Sequence, residues 1–435
     1  MAPITFAICG CGNRGLEVYA AYQNAHPERM KVVAGADCRP GRLARLRELY
    51  GVEEALCFDS DEALLAQPRL ADVLIIATQD RRHVPAALKA LDKGYDILLE
   101  KPISPELGEC LRLQEKAHET GRAVTVCHVL RYTPFYSRIQ AMLRRGEIGR
   151  LQTIDAVEHV GWWHYAHSFV RGNWRRWEDT SPMILAKSCH DMDILRWLAD
   201  APCVKVQSFG RLGHFTADNA PPGAAPRCLD GCGCREDCLY DARRLYLDNP
   251  HCGLERGKTD FPGVVTGGEP TRAALLDALR TGPYGRCVYH CDNDVVDHQT
   301  VNLEFEGGIC ATFTMTAFTE EFRRTIKLTG TRGEIEGDMD ANTICLRPFG
   351  GPARTIVPEN VPDGPAGHGG GDAGLMRRVC ALAEEGDAHG DTGIDSAVES
   401  HVMALAAEAS RVGGGETIRL AEFARAARAG AGLDG

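Results

Sequence analysis

Four ionisable side chains stand within seven positions of an otherwise apolar stretch, "SPMILAKSCHDMDIL" (181–195): Lys187, His190, Asp191 and Asp193. Burying such groups is costly unless they are paired or used. Their types suit proton transfer, because an imidazole titrates near neutral pH and a neighbouring ammonium stabilises an oxyanion. A helix over 183–198 would carry Lys187, His190, Asp191 and Ile194 on one face, at i, i+3, i+4 and i+7. Leu185, Met192 and Leu195 would lie opposite and pack into a core. A polar stripe on a buried helix reads as the wall of a site. The structural alternative is an i, i+4 ion pair from Lys187 to Asp191, with His190 satisfied in the core.

The N-terminal region supplies elements for a facing wall. "ITFAIC" (4–9) is a short apolar run ending in "GCGNRG", which sets Gly10, Gly12 and Gly15 in G-x-G-x-x-G spacing before a helical pattern. Gly10 permits a tight turn, Gly12 lets backbone approach a pyrophosphate, and Gly15 lets the helix pack closely on the strand. The helix start then faces the phosphates, with Asn13 and Arg14 beside them. A second run, "KVVAGAD", ends in Asp37, an acceptor for a ribose diol. Asp37 favours NAD; Arg39 and Arg42 just beyond it would suit the 2′-phosphate of NADP. Strand and helix patterns then alternate through "ADVLIIATQ", "RRHVPAALKALDKG" and "YDILLEKPIS", which predicts a parallel, doubly wound sheet. Ligands in such sheets lie beyond the carboxyl ends of the strands. Thr78, Gln79, His83, Glu100, Lys101 and His128 fall there.

The chain has 435 residues and a formal charge of −11. That length allows two domains, and that charge argues against nucleic acid or an anionic membrane surface as partner. No apolar run has membrane-span length, and the first residues enter a strand pattern at once, so a cytoplasmic location is expected. We divide the chain into residues 1–127 and 128–435.

Within the second part, "EHVGWWHYAHSFVRGNWRRW" (158–177) gathers four tryptophans with histidine and arginine. Aromatic faces stack on sugar rings, and His164, His167, Arg171, Trp174 and Arg175 could bond a polar substrate. The alternatives are an aromatic packing cluster or a subunit interface. "GHGGGD" (367–372) offers His368 from a second wall or a plain glycine linker. Of 18 cysteines, most are isolated in apolar patterns, as Cys57, Cys110, Cys127 and Cys380 are. The exception is a Cys-rich insertion at about 214–291, where Cys228, Cys232, Cys234 and Cys238 follow C-x3-C-x-C-x3-C spacing. In a reducing compartment such clustering suggests thiolate ligands, and we expect a structural zinc, with free thiols as the alternative. Alternating strands from 292 onward predict a half-exposed sheet, one face of which could join a second copy in a dimer or tetramer.

"GCGNRG" followed by "EKP" at 100–102 resembles the Gfo/Idh/MocA oxidoreductases. "VLRYTPFYSRIQAMLRRGEIG" is similar to that family's entry into its second domain, and "CHDMDILRWL" to its active-site helix. The resemblance implies a Rossmann domain plus an α+β domain with a large, mostly antiparallel open sheet. It also implies hydride transfer between a secondary alcohol of a sugar or cyclitol and a nicotinamide. By position Lys101 and His190 match the family's lysine and catalytic histidine, and Arg131 falls in the segment lining the nicotinamide. Asp191 and His128 join the candidate substrate contacts. Many members carry aspartate four residues before the histidine; here Ala186 stands there, with Lys187 beside it. Lys101, Lys187 and His190 each remain candidates for the base. A hydrolase that oxidises a glycoside transiently at C3, eliminates and re-reduces is the alternative activity.

Overall fold

The computed structural model describes residues 2–359, 367–386 and 390–433. Six strands make the first sheet: β1 (Ile4–Cys9), β2 (Met30–Ala36), β3 (Cys57–Phe58), β4 (Val73–Ile76), β5 (Asp96–Leu99) and β6 (Val124–Val126). Their order is 3-2-1-4-5-6 and every pairing is parallel, the doubly wound arrangement the alternation predicts. β4 is buried at all four positions, as a central strand covered on both faces must be.

Nine strands follow: β7 (Leu151–His159), β8 (Cys203–Arg211), β9 (His298–Phe305), β10 (Cys310–Thr316), β11 (Arg323–Gly330), β12 (Gly333–Asp338), β13 (Thr343–Pro348), β14 (Arg354–Ile356) and β15 (Ile418–Arg419). They form one open sheet, 14-13-12-11-7-10-9-8-15, in which only the β7–β10 pairing is parallel. Period-two patterning in β11 alternates buried and half-buried residues, so one face packs on helices and the other stays partly open. The helix Ile394–Val412 lies across β8 and also touches the helices Leu107–Thr120 and Cys189–Ala199, tying the two sheets' layers together.

The stretch 183–198 is not one helix. Met183–Ala186 forms a single turn, the chain kinks at Lys187 and Ser188, and Cys189–Ala199 continues. Leu185, Met192 and Leu195 are fully buried, as expected. The kink changes which side chains meet. Lys187 turns toward β7, so the i, i+4 pair with Asp191 does not form.

Candidate active site

The glycine turn is sterically obligatory. Gly10 has φ +94°, and a Cβ there would sit 2.4 Å from the Ala77 carbonyl oxygen. A Cβ on Gly15 would lie 2.2 Å from the Gly10 oxygen. Nothing but the Arg42 guanidinium, at 3.4 Å, comes near the Cβ position of Gly12, so the backbone there is open to a phosphate. Asp37 closes β2 and is pinned by the Arg39 amide (2.9 Å) and by Arg42 Nη1 (3.0 Å). Thr78, just beyond β4, has a buried hydroxyl oxygen with no partner. An open glycine cradle, a fixed carboxylate and an unpartnered hydroxyl fit a dinucleotide. Gln79 and Asn13 are exposed nearby.

Two residues expected at this groove do other work. His83 sets its ring nitrogens against the carbonyls of Pro102 (2.7 Å) and Thr78 (3.1 Å), bracing the loops after β4 and β5. Arg131 is committed to Asp193 (2.7 and 2.5 Å), the Asp391 carbonyl (2.7 Å) and Ser396 (2.6 Å), which bolts the interdomain segment to two helices. Arg14 reaches down to Glu100 (2.7 Å) and Asp372 (2.7 Å). Burial favours the neutral acid at Glu100, but the charges of Arg14 and Lys101 win and hold its carboxyl below the usual range.

Beyond the strand ends, Lys101 Nζ donates to the Ala186 carbonyl at 3.0 Å. The backbone of the residue before Lys187 thus occupies the lysine. That contact joins the EKP loop to the kinked helix and sets Lys101 close enough for its charge to act on both Lys187 and His190, the three lining what we call the crevice. Lys187 Nζ lies 3.7 Å from Glu158 Oε1, on the inner face of β7, and 4.4 Å from the centre of the Phe322 ring. Arg324, on β11, bonds both Glu158 and Asp191. Glu158 is wholly buried: desolvation pushes its carboxyl up to about 8, against the pull of Arg324. Burial brings the Lys187 ammonium down to about 8, against the attraction of Glu158. Burial thus shifts the acid and the base toward each other, the direction that suits groups used in proton transfer. Asp191 therefore anchors Arg324 rather than facing a ligand.

Histidines line the rest. Burial, and then the charge of Lys101, holds His190 well below the ordinary imidazole range, so it is neutral at pH 7. Its ring centre is 6.0 Å from that of His128, whose two nitrogens are buried without partners. The buried nitrogens of His128, Nδ1 of His190 and the Ser188 hydroxyl have no hydrogen-bond partner within the protein, so they are polar groups able to take one from a bound polyol. His164 packs against Phe322 at 5.3 Å between ring centres; burial, then the Lys187 charge, lowers its pKa strongly.

The remaining aromatic-stretch residues lie elsewhere. His167 stacks between Phe261 (3.9 Å) and Tyr284 (4.7 Å) and bonds Tyr246. Arg171, fully buried, donates to the carbonyls of Arg286 and Tyr240 (both 2.7 Å) and nears Cys228 Sγ (3.6 Å). Arg175 pairs with Asp292, and Trp174 packs on the core. His167 and Arg171 thus secure the Cys-rich insertion, and His164, beside Phe322 and within reach of the Lys187 charge, is the residue of the proposed substrate wall that lies with the crevice residues. The thiols also part from expectation. Cys232 and Cys234 touch at 3.4 Å, but among the described residues no three His, Cys, Asp or Glu side chains converge with metal-ligand geometry. The zinc expected at Cys228, Cys232, Cys234 and Cys238 has no such group to bind it. Sequence reasoning missed Glu158 and Asp372, although each stands within a stretch singled out above, and it missed Arg324 and Phe322, which stand in none.

Family models match both halves: an oxidoreductase family's NAD-binding Rossmann fold over residues 4–128 and its C-terminal alpha/beta domain over 140–348. YteT of Bacillus subtilis (strain 168), an oxidoreductase by name, is 25% identical over 385 residues, covering 85% of this chain and 86% of its own. Inositol 2-dehydrogenase of Corynebacterium glutamicum (strain R) is 26% identical over 183 residues, 42% of this chain and 47% of its own, so about half of that enzyme is matched. An inositol dehydrogenase homolog from Azotobacter vinelandii, solved with NADH and myo-inositol, shares the fold with TM-score 0.67 at 16% identity, over 96% of this chain and 98% of that one. The chain belongs to the Gfo/Idh/MocA oxidoreductase family.

Proposed function

We propose that the protein is an NAD-dependent dehydrogenase acting on a secondary alcohol of a cyclitol, sugar or sugar derivative. The observation that carries this reading is the convergence of Lys101, Lys187 and His190 beyond the carboxyl ends of β4–β6, anchored by the Lys101–Ala186 contact. The activities named for the relatives, inositol dehydrogenation above all, support the substrate class. Those named relatives are dehydrogenases, so a glycosidase is the weaker reading.

NAD bound along the glycine turn supplies the hydride acceptor. The carboxylate of Asp37 would accept from a ribose diol and repel a 2′-phosphate, which favours NAD over NADP. Oxidising an alcohol needs a base for the hydroxyl proton and a cation for developing alkoxide charge. Lys101 is the cation of this reading and the Lys187–Glu158 pair its base. His190 and His128, both neutral, hold the substrate oxygens by hydrogen bonds, and His164 with Phe322 lines the far wall. Glu158, His128 and His190 are buried, which strengthens the electrostatic interactions made there. The same reading keeps a cytoplasmic location and a homo-oligomer built on the open face of the nine-stranded sheet; it assigns no metal.

Incubating NAD-loaded protein with cyclitols, free pyranoses and p-nitrophenyl glycosides tests it. NADH absorbance rising in step with polyol consumed is the expected result. Aglycone release without net NADH would overturn the dehydrogenase reading.

A further inference from the structure

Four imidazoles stand in a row running from the core to the surface: His401, His128, His190 and His368, with successive ring centres 5.8, 6.0 and 5.8 Å apart. The inner end is closed. His401 donates from Nδ1 to the Ala397 carbonyl (2.7 Å) and accepts from the Ile103 amide at Nε2 (2.8 Å). The outer end is open, since His368 keeps 34% of its side chain exposed while His190 is only 5% exposed.

His368 is also held in place. Its Nδ1 lies 3.1 Å from Asp372 Oδ2, which leaves Nε2 free. Asp372 is buried and is gripped by Arg14 of the glycine turn at 2.7 and 3.4 Å. Burial alone would raise the Asp372 pKa, but His368 and Arg14 bring it down to about 2, so the acceptor is a carboxylate at any working pH. The backbone is constrained as well: His368 has φ +49°, followed by Gly369 at +61° and Gly370 at +88°. A left-handed non-glycine residue is uncommon and marks a position its surroundings enforce. Gly371 seals the loop, because a Cβ there would lie 2.4 Å from the Val129 oxygen. The charged and titratable groups around the ring are Asp372, Arg14, Lys187 and His190.

We propose that His368, positioned by Asp372, is the exit for the proton released when the substrate alcohol is oxidised. This rests on the dehydrogenase reading. The hydride carries two electrons to the nicotinamide, and the O–H bond breaks as an N–H bond forms on the base. That proton then leaves across the His190 ring, which takes a proton on one nitrogen and gives up the one on the other. His190 thus ends neutral, as its burial demands. His368 Nε2 receives the proton and hands it to buffer, and no electron moves in the relay.

The test uses NAD-loaded protein. His368→Gly suits the left-handed backbone and leaves room for a free imidazole; polyol oxidation should fall in kcat by about tenfold or more with KM little changed. Added imidazole should restore the rate saturably. His368→Asn, which also tolerates positive φ, should show the loss without the rescue. Without substrate, NMR titration of the His368 ring should move to lower pH in Asp372→Asn, because the carboxylate that favours the imidazolium is gone. A rise in KM at unchanged kcat would make His368 a substrate contact and overturn the relay. So would a kcat loss indifferent to imidazole, or a titration unmoved by Asp372→Asn. A wild type that oxidises no polyol fails the dehydrogenase reading and the relay together; an active wild type with an unimpaired His368→Gly fails the relay alone.

Discussion

Two buried cations, Lys187 in the crevice and Arg171 in the Cys-rich insertion, show how the same kind of side chain is put to opposite uses. Lys187 meets a buried carboxylate, Glu158; burial pushes the carboxyl up and the ammonium down, against their mutual attraction. The result is a proton that can be moved. Arg171 meets carbonyls and a thiol, with no carboxylate among its hydrogen-bond partners. A guanidinium keeps its charge even there, so it serves as a fixed tie between segments. A charge is chemically useful where its partner can exchange a proton with it, and structural where its partner cannot.

The sharpest way to break this contrast is to remove each cation. Lys187→Met should cut kcat by about 10³-fold, within the range of a lost acid–base group, with little change in melting temperature. Arg171→Met should do the reverse. Stripping two carbonyls of their donors should cost roughly 2–4 kcal/mol of stability, measured by denaturant titration, with kcat per folded molecule unchanged. A stability loss at Lys187 with full activity would erase the distinction.

Smaller effects sharpen it. Glu158 favours the charged form of Lys187, so Glu158→Gln should drop the already lowered lysine pKa further. The rising limb of the pH–rate profile for oxidation should move to lower pH, because the base becomes neutral earlier; a limb that stays put would remove Lys187 as the titrating group. For a half-exposed thiol of the insertion the expected effect is smallest. Cys234→Ser should change stability by no more than about 0.5 kcal/mol, and prolonged chelation should leave the melting temperature unchanged. A chelator-induced drop would restore the zinc.

The sequence made some of this legible and hid the rest for identifiable reasons. Gly10, Gly15 and Asp37 could be read because a dinucleotide turn is a local device whose parts lie close in the chain. The kink at Lys187–Ser188 could not, since no glycine or proline marks it; a contact with Glu158, nearly thirty residues earlier, accompanies it. Glu158 did carry a signal. It shares a strand face with buried Ile154, and an acid at an inward position is unusual. Arg324 gave none, because its meaning depends on two carboxylates from other elements. Beyond His164 the aromatic stretch read two ways, because histidine, arginine and tryptophan serve an aromatic packing cluster as well as a sugar wall, and His167 stacks in such a cluster.

A crystal structure of the Lys187→Met protein with NAD and a polyol it binds tests the central claim most directly. The account predicts the alcohol carbon stacked against the nicotinamide, its hydroxyl within hydrogen-bond distance of Lys101 Nζ and facing the space vacated by Lys187. A polyol hydroxyl turned away from that space, or a nicotinamide outside the crevice bounded by residues 101, 128 and 190, would contradict it.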